Sequence, residues 1–138
     1  MPHFAAVNAN VLVSALITKN PESPTRKVFK AMISGDIIPL YHEDILIEYK
    51  GVLNRKKFHL NLKTVNTVIS AIQQYGTEVN PTPTGEILPD MNDLIFYEVT
   101  MEKRKDDAYL VTGNQKHFPI KTFIFTPTEM MKIIEESK

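Results

Sequence analysis

The sequence predicts an α/β fold: three layers, α/β/α, around one central parallel sheet. Three observations predict it. Segments that read as strands and segments that read as helices mostly alternate along the chain, the order that produces parallel pairing with helical crossovers. The strand candidates are short continuous apolar runs, which suits strands covered on both faces. The 138 residues are 43% hydrophobic and 23% charged, the balance of one ordinary globular domain spanning 1–138.

The elements follow in chain order. HFAAVNA (3–9) is an apolar run, and FAAVNANVLVSAL (4–16) reads as a strand passing into a helix. Asn8 and Asn10 are poor strand formers and fall where that strand should end. SPTRKVFKAMISG (23–35) is a helix opened by Ser23 and Pro24 and closed by Gly35. DIIPLY (36–41) is a strand. HEDILIEYKGVLNR (42–55) places Ile45, Tyr49, Val52 and Leu53 on one helical stripe. LKTVNTVISAIQQYG (62–76) does the same with Val65, Val68, Ile69 and Ile72, and ends at Gly76. TEVNP (77–81) is a brief strand, and VNPTPTGEILPD (79–90), with three prolines, is a surface loop. MNDLIFYEVTMEKRK (91–105) is a helix; DAYLVTG (107–113) and KTFIFTP (121–127) are strands. TPTEMMKIIEES (126–137) is a helix capped by Thr126, with Pro127 in its first position. The resulting order is strand, helix, strand, two helices, strand, helix, strand, strand, helix.

Composition excludes several function classes. Sixteen basic and sixteen acidic residues give zero formal net charge, which argues against a chain that coats nucleic acid through bulk charge. Local basic stretches remain in NRKKFHLNLK (54–63) and MEKRKDD (101–107). With no cysteine, disulfides and thiolate zinc sites are excluded. No apolar run approaches the ~20 residues of a membrane span, and the N-terminus lacks a signal-peptide pattern. A cytoplasmic protein, without membrane contact, is the simplest reading. The histidines at 3, 42, 59 and 117 lack zinc-site spacing, and there is no phosphate-cradling glycine loop. Ser14 and Ser70 lack the context of a nucleophile elbow.

Ligands of parallel α/β sheets gather at the carboxyl ends of strands near the switch point. Asn8 and Asn114 fall at such ends. Glu48 lies mid-helix in ILIEYKGVL, with Ile45 and Val52 a helical step away. It reads either as a carboxylate near the buried face that needs a partner or cation, or as a rim glutamate that reaches solvent. Asp90 and Asp93 bracket the start of the 91–105 helix, as ligands or as its caps, and Glu98 reads as surface charge. A cluster of Asp and Glu oxygens is what Mg²⁺ or Mn²⁺ needs. Such ions support activation of water and stabilisation of charge on a phosphate.

Four segments in order then carry a resemblance: AVNANVLVSALI (6–17), HEDILIEYKGVLNRKKF (42–58), LPDMNDLIFYE (88–98) and AYLVTGNQKHFP (108–119). Together the chain resembles the PIN-domain family, and within it the toxin components of type II toxin–antitoxin systems. The resemblance implies a Mg²⁺- or Mn²⁺-dependent ribonuclease. It implies metal ligands at Glu48, Asp90, Asp93, Asn8 and Asn114, with Glu48, Asp93 and Asn8 as the catalytic set. Asn10 and Thr112 would orient the ligands, and Lys56, Lys57 and Lys116 would contact RNA phosphates. It also implies an RNA substrate, a cognate antitoxin and a homodimer. Apolar stripes in 62–76 and in EMMKIIEE (129–136) are the candidate pairing faces, unless both face the core.

The chain also departs from the family. Asn8 stands where the family has its central aspartate, and Asn114 where many members have another. An amide oxygen can ligate Mg²⁺, but it brings no charge and accepts no proton from water as a carboxylate can. The alternative expectation is a catalytically degenerate PIN domain that binds protein or RNA. Apart from any resemblance, a small α/β module with a partner-binding groove also fits the composition.

Overall fold

The computed structural model describes residues 2–138; Met1, the first residue of the expected 1–138 domain, lies outside the described residues. Five short strands form one sheet: β1 (His3–Val7), β2 (Ile37–Tyr41), β3 (Thr77–Glu78), β4 (Tyr109–Val111) and β5 (Ile124–Phe125). All neighbours are parallel, in the order β3-β2-β1-β4-β5. The chain builds outward from β1 through β2 to β3, then returns to the other side of β1 with β4 and β5. The switch point therefore lies between β1 and β4, where a crevice opens at the carboxyl ends of the two strands.

Helices flank the sheet: α1 (Ala9–Ile17), α2 (Pro24–Ser34), α3 (Glu43–Leu53), α4 (Leu62–Tyr75), α5 (Leu94–Glu102) and α6 (Pro127–Glu136). Their ends follow local chemistry. The Ser23 hydroxyl accepts from the Arg26 N–H ahead of Pro24, and Gly35 closes α2 with φ of 94°. Thr126 and Glu129 form a reciprocal capping box on α6. Gly76 ends α4 in extended backbone, and the reason for glycine is space: a Cβ there would lie 2.5 Å from the carbonyl oxygens of both Ile72 and Pro39.

Three sequence expectations are corrected. The expected element order leaves out one helix between β1 and β2: the strand-into-helix reading of 4–16 is met by α1, which begins immediately after Asn8, and α2 follows it. The 91–105 helix is broken at both ends: Met91–Asp93 and Arg104–Asp106 are 3₁₀ turns, and Asp107 leaves the second in the left-handed region with φ of 59°. The apolar stripes offered as pairing faces are mostly core: Val65, Val68, Ile69 and Ile72 of α4 are buried, as are Met130 and Ile134 of α6. The strands are also shorter than their apolar runs; β3 and β5, at the edges, have two residues each. Among the described residues, no helix is long and apolar enough to cross a membrane.

The buried side chains form one continuous cluster running through β1, β2, β4 and every helix. Tyr49 of α3 is, with Tyr97, its largest fully buried member. The Tyr49 hydroxyl donates to the carbonyl of Val7 at the end of β1, and its ring meets Phe96 of α5 at 5.7 Å between centroids. Burial also pushes this phenol's pKa well above its ordinary value, so it remains a donor. One side chain thus fixes α3 against both β1 and α5. It also sets the position of its neighbour in sequence, Glu48.

Candidate functional site

A cavity of ≈ 340 Å³ opens beside the ends of β1 and β4. Its polar end is lined by Asn8, Asn10, Glu48, Asp90, Asp93 and His117. Residues from four separate stretches of sequence therefore meet at the switch point.

Asn8 is 3% exposed, and every end of it is engaged. Its N–H donates to the Val111 carbonyl at 2.9 Å, continuing the β1–β4 pairing. Its Oδ1 accepts from the Asn10 N–H at 3.3 Å, capping α1. Its Nδ2 donates to Asp93 Oδ1 at 3.1 Å. This accounts for a carboxamide at the strand end: a buried residue must both accept from a helix N-terminus and donate to a carboxylate, and asparagine does both.

Asp90 and Asp93 divide the two roles open to them. Asp90, exposed, accepts from the Asn92 N–H at 3.0 Å and caps the 3₁₀ turn. Asp93 makes no capping bond. Its carboxylate turns inward, where Oδ1 accepts from Asn8 and Oδ2 accepts from His117 Nδ1 at 3.1 Å. In the tautomer that donates from Nδ1, His117 Nε2 accepts from Asn114 Nδ2, which stands 3.0 Å from it. Asn114 thus reaches Asp93 only through His117 and is not itself in the cavity wall.

Behind these residues lies a backing layer. Thr112, fully buried, accepts at Oγ1 from the Asn114 N–H at 3.0 Å. Asn10 Oδ1 accepts from the Gly113 N–H at 3.3 Å, tying the first turn of α1 to the Thr-Gly-Asn segment.

Glu48 is half-buried and, among the described residues, has no hydrogen-bonding or ion-pair partner. Its pKa is raised from the ordinary carboxylate value, first by burial, then by Asp90; Arg55 opposes the rise, and Asp93 adds to it. Its helical neighbours Ile45 and Val52 explain the burial, and the three carboxylates in one cavity explain the charge. In kind, these oxygen donors fit a hard divalent cation, which would neutralise the pooled charge. Each Asp93 oxygen has one lone pair engaged and one remaining. The set is not a finished cage: among the described residues, no group of three or more His, Asp or Glu side chains encloses a cation position.

Lys56 and Lys57 are exposed in the 3₁₀ turn Lys56–Phe58, and Lys116 is exposed beside His117 in the turn Gln115–His117. None of the three lines the cavity; Arg55 and Phe58 do. Sequence reasoning missed His117, Arg55 and Phe58. His117 carries a signal, lying one tight turn beyond the asparagine that follows β4, although the four histidines lack zinc-site spacing. Glu98 is likewise more than surface charge: its Oε2 accepts from the Thr84 N–H at 2.6 Å and faces the Thr84 hydroxyl at 3.0 Å. Glu102 does the same for Thr82 at 3.0 and 2.9 Å, so α5 holds the proline-rich loop that leads to Asp90.

Comparison with curated proteins gives no match. The sequence pattern of the PIN domain matches residues 5–116, a span that begins in β1 and runs through the turn after β4. That span contains every residue of the polar cavity end except His117, which follows it directly. With a five-stranded parallel sheet, a switch point between β1 and β4, and acids drawn to it from α3 and the start of α5, the chain belongs to the PIN domain family, whose members are generally metal-dependent nucleases.

Proposed function

We propose that this chain, as the single domain 1–138, is a Mg²⁺- or Mn²⁺-dependent endoribonuclease and the toxin of a toxin–antitoxin pair. The observation behind this reading is that Glu48, Asp90 and Asp93 line one cavity at the switch point of the sheet. Glu48 and Asp93 would hold the cation, Asp90 directly or through water, with Asn8 at a remaining corner and Asn114 behind the wall, acting through His117. When bound, the cation supplies an activated water and stabilises charge on the phosphate. Asn8 and His117 hold the Asp93 carboxylate in one rotation; Asn10 and Thr112 hold the segments that carry Asn8 and Asn114. Lys56, Lys57 and Lys116 supply phosphate contacts around the cavity. The partners of this reading are RNA, a cognate antitoxin and a second copy of the chain.

The test is cleavage of single-stranded RNA by purified protein in Mn²⁺ and in EDTA, beside Asn8→Asp. Divalent-dependent cleavage that rises in Asn8→Asp supports the reading; no cleavage by either protein overturns it.

A specific observation favours a second reading, that of a degenerate PIN domain acting as a protein- or RNA-binding module. Both ends of the Asn8 amide are already bonded within the fold, and a neutral residue stands where the family carries its central charge. A divalent-linked rise in melting temperature separates the two, since only a metal-binding site is stabilised by its cation.

A further inference from the structure

One hydrogen bond of the core lies behind the candidate site without lining its cavity. Tyr49 and Val7 are each 1% exposed, and the Tyr49 hydroxyl donates to the Val7 carbonyl. That carbonyl belongs to the peptide unit whose other end is the Asn8 N–H, which donates to the Val111 carbonyl of β4 at 2.9 Å. A peptide unit is planar. This one is held at its oxygen from α3 and at its nitrogen from β4, so the Asn8 Cα leaves it in a fixed direction. The ring of Tyr49 rests in turn on Phe96 of α5. Each contact of Tyr49 therefore stands close in sequence to a polar residue of the cavity. Glu48 precedes Tyr49 itself, Asn8 follows Val7, and Asp93 precedes Phe96 by three residues. Tyr97 of α5 is buried as well, yet among the described residues its hydroxyl makes no bond to β1.

We infer that Tyr49 is a positioning residue of the acidic site: its hydroxyl fixes the separation of Glu48 from the bonded pair Asn8 and Asp93. This assignment rests on the metal-dependent reading above and adds a residue that reading does not use. Three physical points carry it. The first is that packing alone does not call for the oxygen. Phenylalanine fills the same space, and a buried hydroxyl is costly unless bonded. Here the bond goes to the carbonyl that directly precedes Asn8. The second is that both partners are sealed from water. Without the hydroxyl the Val7 carbonyl is left unpaired, and its peptide plane can turn towards another donor. The third is leverage. The Cα atoms of Glu48 and Tyr49, like those of Val7 and Asn8, are only about 3.8 Å apart, so a shift at the bond passes directly to the site. The Glu48 carboxylate faces the cavity with no side-chain partner among the described residues, so its helix alone decides where it stands. A cation held jointly from α3 and α5 tolerates little error in that separation, since Mg²⁺ demands near-ideal geometry at about 2.0–2.1 Å.

The test is Mn²⁺ affinity of the full chain and of Tyr49→Phe, read by calorimetric titration and by the electron paramagnetic resonance spectrum of the bound ion. Phenylalanine keeps the ring and its contact with Phe96, and loss of one hydrogen bond leaves most of a domain's stability in place. Circular dichroism and melting in EDTA verify that the variant is folded at the titration temperature. Its affinity is expected to fall about 10-fold, the lower end for partners that orient metal ligands, and the spectrum of the bound ion to broaden. Tyr97→Phe removes the same atom from another buried ring and should keep the parental affinity, even where it melts lower. In a Glu48→Gln background, Tyr49→Phe should weaken binding by less than about twofold, because the carboxylate it positions is gone and the two effects do not add. Parental affinity in Tyr49→Phe overturns the assignment. So does an equal loss in Tyr97→Phe, or the full 10-fold loss in the Glu48→Gln background. A parent that binds no Mn²⁺ removes the metal-dependent reading and the role of Tyr49 with it. A parent that binds Mn²⁺ and loses affinity in Tyr49→Phe, but cleaves no RNA, keeps the role of Tyr49 and removes only the nuclease.

Discussion

The Nδ1–H of His117 donates to Oδ2 of Asp93 across 3.1 Å while Asn8 holds the other oxygen, so the carboxylate is gripped from both sides. Partners of this kind orient metal-ligating carboxylates, and their loss typically lowers metal affinity about 10- to 100-fold. His117→Ala is expected to weaken Mn²⁺ binding by that order in calorimetric titration. His117→Gln, which keeps an N–H, recovers part of it. The metal-free fold should lose less than about 1 kcal/mol, because the pair is partly exposed. Unchanged affinity would show that Asn8 alone orients Asp93.

Asn8→Asp replaces the N–H facing Asp93 Oδ1 with an oxygen, beside Glu48 and Asp90 as well. Without a divalent ion the substitution should destabilise the fold by about 1–2 kcal/mol, the scale of a pKa displacement near one unit. Mn²⁺ should restore the loss, since the added carboxylate strengthens a site that only the folded chain possesses. Melting temperatures of both proteins in EDTA and in Mn²⁺ check this. Equal melting in both conditions would remove Asn8 from any metal site.

Glu48 gives the metal-free protein a pH dependence of definite sign. Its pKa is raised from 4.5 by burial, then by Asp90 and Asp93 against the pull of Arg55. Between the unfolded and folded values the folded chain holds more protons than the unfolded chain. The contribution is therefore fully present below the unfolded value and is lost as pH rises through the folded one. Glu48→Gln should flatten this slope and raise melting temperature at neutral pH in EDTA, while weakening any stabilisation by Mn²⁺. A steeper slope in Glu48→Gln would refute the assignment.

Gly76→Ala tests the packing at the end of α4. The added carbon would stand 2.5 Å from two carbonyl oxygens and 3.1 Å from the Tyr41 ring. Backbone cannot yield as a side-chain end can, so a loss of roughly 1–3 kcal/mol is expected, read from urea unfolding. A neutral result would mean that α4 and β2 separate freely at that point.

Much of this fold is legible in the sequence because its signals are local. Ser23-Pro24, Gly35 and Thr126-Pro127 mark helix ends that the backbone must obey wherever the helices pack. The apolar stripe of α4 likewise reads correctly from spacing. The errors arise where tertiary contacts override local pattern. Nothing within 91–105 signals that Asp93 forgoes capping, because its partners Asn8 and His117 lie 85 and 24 residues away. Glu98 looks like surface charge until Thr84 is folded onto it. The acids of the candidate site could be nominated by residue type and order, whereas the imidazole that joins Asp93 to Asn114 depends on geometry that no short window contains.

The two clasps between α5 and the proline-rich loop make that loop a measuring device. Glu98 and Glu102 lie one helical step of four residues apart, about 6 Å along the axis. Thr82 and Thr84, two residues apart, span about 6.6 Å if extended. The spacings are commensurate, so helix and loop engage like a two-tooth ratchet. Chain added before Thr82 only adds slack. Chain added or deleted between Thr84 and Asp90 changes the length of a strut whose far end carries two of the cavity's acids. Insertions in the first part of the loop should therefore be tolerated, whereas single-residue changes in the second part should move Asp90 and Asp93 out of alignment with Glu48.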